Sequence, residues 1–257
     1  VPQSLQFTGT QLLEFNESDS TNVLAGQLLE DEPPEGTVIW ARHQRAGRGQ
    51  AGTRWLDAPG QNLTFSLIYY PVFLEAAEAF RLSKVAALGL REAVQQVLPA
   101  VPVQIKWPND ILVDKQKVAG ILIENQLEGK QLRSSVIGMG LNVNQLHFPE
   151  ELKARATSLK LHLGQDTEVE PLLWKILERL EKYYLQLRAR DLRSIDQQYN
   201  THLYGYQEEV SLEVDGEIGS WQILGLDPQG RLGATQGKQI RYFSMKEVRF
   251  VWEGSEG

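Results

Sequence analysis

Four short stretches concentrate residue types that handle anions and heterocycles. AGRGQAGTRW, residues 46–55, sets Arg48 between Gly47 and Gly49 and ends on Trp55. Glycines allow close backbone approach to a ligand, and successive N–H groups in such a loop can form an anion nest. A guanidinium grips a carboxylate or phosphate with a planar fork, and an indole offers a flat face to a base or an apolar ring. A flexible surface loop with a core tryptophan would have the same letters. KWPND, residues 106–110, places Asn109 and Asp110 between apolar segments. It reads as an ordinary turn or as an amide held rigidly against a purine edge. Lys117 opens KVAGILIE, and a lysine at a strand edge is usually solvated. GMGLNVN, residues 138–144, follows an apolar strand with glycines that permit close approach. Upstream, SDSTN at 18–22 by itself is the signature of a helix cap.

The first stretch contains G-x-G-x-x-G, which tests as a dinucleotide fingerprint. That motif needs a strand before it, a helix opening within it and an acid about 20 residues on. TVIWAR precedes it, but Pro59-Gly60 stops any helix early and residues 58–74 hold no acid. A P-loop fails too, because Thr53, not lysine, follows Gly52.

The elements that position these stretches alternate in the first two hundred residues. Strands are expected at 11–15, 37–42, 62–70 and 103–107, with 111–113 and 118–123 joined by a turn at 114–117. Another turn at 128–130 leads into a strand over 132–143. Helices are expected from Asp19 or Ser20 to Glu30, over 75–98, where Phe80, Val85, Leu88 and Val94 recur at helical spacing, and over 169–187. The successive turns point to a mainly antiparallel sheet. From Tyr204 the pattern changes to five short strands with tight turns, as in a small β-barrel, so the chain divides at residue 200 into units of 1–200 and 201–257.

Composition narrows the function. The 257 residues are 42% hydrophobic and 23% charged, a globular balance able to bury a core. The absence of cysteine excludes disulfides, thiolate zinc sites and a cysteine nucleophile. The four histidines show no metal-ligand spacing, so no protein-held metal site is expected. No apolar run approaches the roughly 18–20 residues of a membrane span, and the start has no secretory pattern; a cytoplasmic protein is expected. The net charge of −7 argues against DNA as a partner. Against that background Arg42, Arg45, Arg48 and Arg54 crowd a segment whose one acid is Asp57, a local field suited to a small anion.

The four stretches, in this order and spacing, resemble the biotin protein ligase family from about residue 11 onward. The resemblance implies a class II synthetase-like α/β domain, with a mostly antiparallel sheet and flanking helices, followed by a small barrel of the Src-homology-3 type. It implies two reactions: biotin and ATP give biotinyl-5′-AMP and pyrophosphate, with Mg²⁺, and a lysine of a biotin carboxyl carrier domain then takes the acyl group and releases AMP. Carried over position by position, Ser20, Thr21, Asn22 and Gln44 fall at the biotin ring. Gly47, Arg48, Gly49, Gly120, Gly138 and Gly140 line the biotin site. Gln50, Arg54, Trp55, Asn109 and Asn142 fall on the adenylate side. Lys117 falls at the carboxylate and α-phosphate, with Asp110 beside the reacting groups. Arg48, Lys117 and Asp110 are the expected catalytic set.

Many relatives carry basic residues where this chain has Gln50 and Thr53, which leaves the loop dependent on Arg48 with help from Arg54. A monofunctional ligase without a DNA-binding domain is expected, and an exposed sheet edge could pair two copies in a homodimer. A lipoate–protein ligase and a non-catalytic biotin-binding module are the competing readings. Ser20, Thr21 and Gln44 favour a polar ureido ring over a dithiolane, and the joint presence of Arg48 and Lys117 favours catalysis over binding.

Overall fold

The computed structural model describes residues 2–252. The chain begins with β1 (Leu12–Phe15), α1 (Thr21–Leu28), β2 (Val38–Ala41), the two-residue strands β3 (Gly47–Arg48) and β4 (Arg54–Trp55), β5 (Leu63–Tyr69) and α2 (Phe80–Val97). It continues with β6 (Val103–Lys106), β7 (Asp110–Val113), β8 (Gln116–Glu128), β9 (Gln131–Leu141), α3 (Glu150–Lys153), α4 (Leu159–Leu163), α5 (Val169–Arg188) and α6 (Leu192–His202). The last elements are β10 (Glu209–Val214), β11 (Glu217–Leu226), β12 (Leu232–Gln236), β13 (Gln239–Phe243) and β14 (Val248–Phe250).

Seven strands form the main sheet in the order β1-β2-β5-β9-β8-β7-β6. β1 and β2 run parallel, and every other neighbouring pair is antiparallel. This is the expected mostly antiparallel sheet with flanking helices. The C-terminal part is a five-stranded antiparallel sheet, β13-β12-β11-β10-β14. The expected helix from residue 19 or 20 to 30 is α1 followed by a 3-10 turn, Leu29–Asp31, and the one over 75–98 is a 3-10 turn, Ala76–Glu78, before α2. Helix α6 lies outside the expected elements, because its apolar signal is sparse: Leu192, Ile195 and Tyr199, of which it buries the last two.

Side-chain alternation along the strands explains where the sheet is solid and where it is hollow. On β5, Leu63, Phe65, Leu67 and Tyr69 enter the main apolar core beneath α2 and α5; on β9, Ile137, Met139 and Leu141 do the same. A Cβ on Gly89 of α2 would lie 3.0 Å from the backbone nitrogen of Leu180 in α5, so glycine lets these helices pack closely. The opposite face is apolar over only part of its width, where Ile39, Ile68 and Val136 meet Ala25 of α1 and Leu29 beyond it. Further along that face stand Thr64, Ser66, Gly138, Gly140 and Gly120, adjacent in register: Thr64 pairs with Gly140, Gly140 with Gly120, and Ser66 with Gly138. Small side chains there cannot fill the space beneath α1 and the glycine loop.

The C-terminal sheet is tied to the edge of the main one. Trp107 Nε1 donates to the Gly230 carbonyl at 2.9 Å, and the Tyr204 N–H donates to the Ile105 carbonyl at 2.8 Å.

Candidate active site

The hollow above the small-residue patch has a volume of about 280 Å³. Every residue singled out from the sequence as a site residue lines it, except Gly47 and Asn142. Gly47 lies beneath the loop, where a Cβ would come within 2.7 Å of the Trp55 carbonyl, so its work is to close the β3–β4 ribbon. Asn142 is buried and donates from Nδ2 to the Thr157 carbonyl at 3.0 Å, which ties the end of β9 to the segment before α4.

One end of the hollow is a buried polar network. Ser20 is the N-cap residue of α1, yet its side chain makes no capping bond; the hydroxyl is buried and faces the hollow. The Thr21 N–H, which has no partner inside the helix, donates instead to Gln44 Oε1 at 2.7 Å. That bond fixes the Gln44 amide and leaves its NH₂ turned toward Gly47, where a Cβ would lie 3.3 Å from Nε2. Ser66 Oγ lies 2.7 Å from both Thr21 Oγ1 and Asn22 Oδ1. Asn22 Nδ2 donates to Glu124 Oε2 at 2.8 Å. Gly138 is required here, because a Cβ would collide with the Asn22 amide.

The other end is cationic. Lys117 Nζ stands 2.7 Å from Asp110 Oδ1 and 5.8 Å from the centre of the Trp55 ring. Trp55 lies across Gly140, where a Cβ would come within 2.7 Å of ring atoms Cδ2 and Cζ2, and it reaches Gly120. Its Nε1 is buried without a hydrogen-bond partner. Asn109 Nδ2 donates to the Ile121 carbonyl at 2.7 Å, which holds the Pro-Asn-Asp turn against β8. Arg48 reaches down from β3 to Glu124, with N–O at 3.1 Å. The loop beyond it is closed by a 3-10 turn, Gln50–Gly52, and Thr53 Oγ1 donates to the Gln50 carbonyl at 2.8 Å.

The basic segment is less concentrated than its sequence suggests. Arg42 pairs with Glu14, and Arg45 with Asp19 and Glu17, and neither lines the hollow, whose cations are Arg48, Arg54 and Lys117. Lys106, on β6, has its affinity for a proton lowered, mainly by burial and further by Lys117 and Arg155 nearby, with Asp110 opposing. It sits 5.2 Å from the Trp252 ring of the C-terminal unit. Asp57 accepts the Gln44 N–H at 2.8 Å; burial raises its pKa, while that bond, Asn62 and His43 oppose. Ser66, Asp57 and Glu124 were not anticipated from the sequence. Glu124 is the final letter of KVAGILIE, and period-two spacing from Gly120 and Leu122 puts it on the hollow's side of β8.

Among the described residues no three histidine, cysteine, aspartate or glutamate side chains converge to hold a metal. A second cavity, of about 270 Å³, adjoins the hollow through Gln50, Asn109 and Ile121; no charged residue lines it. Among the described residues no helix is long and apolar enough to cross a membrane.

Residues 12–142 match the model of the biotin/lipoate A/B protein ligase family. The bifunctional ligase/repressor of Bacillus subtilis is 31% identical over 226 residues, covering 87% of this chain and 69% of that protein. The biotin–[acetyl-CoA-carboxylase] ligase of Mycobacterium tuberculosis is 31% identical over 231 residues, covering 86% of this chain and 82% of that one. Among solved structures, the biotin protein ligase from Aquifex aeolicus in complex with biotin and ATP superposes with a TM-score of 0.79 at 28% identity, covering 94% of this chain and 99% of the other. With the family match spanning about half the chain and the fold agreeing over nearly all of it, the chain belongs to the biotin/lipoate A/B protein ligase family.

Proposed function

We propose that the chain is a biotin–protein ligase, activating biotin with ATP and passing it to a lysine of a biotin carboxyl carrier domain. The observation that carries this reading is the polarity of the hollow, which is lined by the hydroxyls of Ser20 and Thr21, the amides of Asn22 and Gln44, and the cations Arg48, Arg54 and Lys117. A bicyclic ureido ring satisfies the hydroxyl and amide end. A dithiolane would leave the Gln44 NH₂ and the Ser20 hydroxyl without partners, at about 1–3 kcal/mol for each buried group. This polar end favours biotin over lipoate.

In the first step a biotin carboxylate oxygen attacks the α-phosphorus of ATP, and the bond to pyrophosphate breaks. Two anions must meet, so the work is neutralisation and alignment by Arg48 and Lys117, for which preorganised charge is usually the largest catalytic term. Trp55 offers its face to the adenine, with Asn109 beside it. Magnesium fits as an ion carried on the nucleotide phosphates and water, since it is usually held by few protein carboxylates; there it would screen the phosphate charge.

In the second step the acceptor amine attacks the acyl carbon, the bond to AMP breaks and the amine loses a proton. A free lysine is neutral in only about one molecule in a thousand near pH 7.4. Asp110, with one oxygen on Lys117, has its other oxygen to orient that amine. The adjoining uncharged cavity suits a neutral lysine side chain better than a polyphosphate. In this reading residues 1–200 carry the chemistry and 201–257 brace the KWPND turn through Trp107. The deciding assay is ATP–pyrophosphate exchange dependent on biotin, run against lipoate. Exchange with biotin alone supports the proposal; equal exchange with lipoate, or none with either, overturns it.

A further inference from the structure

Glu124 bridges the glycine loop and the buried polar network. Its Oε1 pairs with the Arg48 guanidinium at 3.1 Å, and its Oε2 accepts from Asn22 Nδ2 at 2.8 Å. Asn22 Oδ1 accepts from Ser66, which neighbours Thr21, whose N–H holds Gln44. A continuous chain of bonds thus runs from the loop arginine to the amide at the far end. The pairing register places Glu124 opposite Val136, one step along the face from the Leu122–Gly138 pair that floors the hollow.

We propose that Glu124 is a specificity-determining positioning residue: one carboxylate oxygen aligns the Asn22 amide while the other competes with the substrate carboxylate for Arg48. The inference rests on the biotin reading above. Two carboxylates cannot both take the best face of one guanidinium without repelling each other. Glu124 therefore lowers the affinity for a carboxylate ligand and leaves an uncharged ligand of the same shape unaffected. When the substrate carboxylate becomes a neutral acyl group, the competition ends and Arg48 returns to Glu124. The pair is solvent-accessible on both sides, which sets the size of the effect at a few fold.

Glu124→Gln removes the charge but keeps an oxygen for Asn22. In equilibrium titrations, biotin should bind E124Q about 2- to 5-fold more tightly than wild type, while biotinol, its alcohol analogue, binds both equally. In an Arg48→Gln background the gain from E124Q should vanish. Glu124→Ala, which also frees Asn22, should weaken biotinol, and biotin less, because the competing charge is removed as well. An E124Q effect equal for biotin and biotinol, no effect at all, or a gain that persists without Arg48 overturns the inference. A wild-type protein that binds neither ligand overturns the biotin reading itself, and this inference with it.

Discussion

Gly140→Ala tests the placement of Trp55 without touching a charged or hydrogen-bonding group. Gly140 sits in β9, paired with Gly120 and Thr64, and its φ is not among the positive values, so alanine suits the backbone. The added methyl meets the indole. Ordinary contact begins at 3.4 Å, and an ideal Cβ lies 2.7 Å from Cδ2 and Cζ2 and nearer to Cε2. The ring must therefore retreat by about 0.7 Å at two atoms and by more at the third. Trp55 belongs to a two-residue strand in the glycine loop, so the loop can lift without disturbing the core beneath α2.

Stacking of a base on an aromatic side chain is worth about 1–3 kcal/mol. Lifting the ring should then weaken ATP by roughly 5- to 150-fold and leave the biotin end, anchored on Gln44 and Thr21, nearly unchanged. Biotin-dependent ATP–pyrophosphate exchange reads both, as the KM for each substrate, and a melting curve checks that the fold is intact. A G140A protein with normal KM for ATP refutes the stacking role of Trp55. Equal losses for ATP and biotin refute the division of the hollow into two ends.

Lys117→Met should lower the rate of pyrophosphate exchange by roughly 10²–10³-fold, the usual loss for one preorganised donor; a smaller fall than tenfold removes Lys117 from the first step. Asp110→Asn should slow transfer from preformed biotinyl-AMP to a carrier domain, and a normal transfer rate would exclude Asp110 from orienting the amine. Gln50→Arg should slow leakage of biotinyl-AMP, because a second guanidinium would add to the loop that Thr53 holds closed; unchanged leakage would show that Arg48 alone sets retention. Asp57 has a folded-state pKa raised by burial, so the fold binds its proton more tightly than the unfolded chain does. Its contribution to stability therefore grows as pH falls through that raised pKa and levels off below the ordinary aspartate value of 3.8. Asp57→Asn should reduce the gain in urea-unfolding stability between pH 7 and pH 4.5, and an unchanged gain would mean Asp57 does not titrate as its burial implies.

What the sequence discloses depends on how local the signal is. The seven buried residues of β5 and the helical spacing of α2 are written in consecutive letters, and both elements stand where periodicity puts them. The glycine loop, KWPND and GMGLNVN are also local, and they converge because the antiparallel register brings Gly120, Gly140 and Thr64 side by side. The misjudged features depend on contacts far along the chain. Arg42 and Arg45 look like part of an anion site until the parallel β1–β2 register brings Glu14, Glu17 and Asp19 alongside them at the same end of the pair. Ser66 and Glu124 are single letters in apolar strands. They become polar anchors because residue 22 is folded against residues 66 and 124, and no spacing within either strand encodes that.

Two of the three cations that line the hollow, Lys117 and Arg48, have acid partners, and the pairs are built differently. Lys117 and Asp110 are 2.7 Å apart with side-chain exposures of 37% and 19%; Arg48 and Glu124 are 3.1 Å apart with 51% and 38%. The more exposed pair is better screened and costs less to separate. Lys117 rises from an interior sheet strand and lies near Trp55, whereas Arg48 hangs from a two-residue ribbon in a glycine loop. In the proposed reaction the lysine is therefore the fixed charge against which a substrate carboxylate and phosphate would be aligned, and the arginine the one that would change partners. A site that must hold an acid, turn it into a neutral acyl group and release it needs both: a permanent cation for the phosphate, which stays anionic to the end, and an exchangeable one for the carboxylate, whose charge disappears midway.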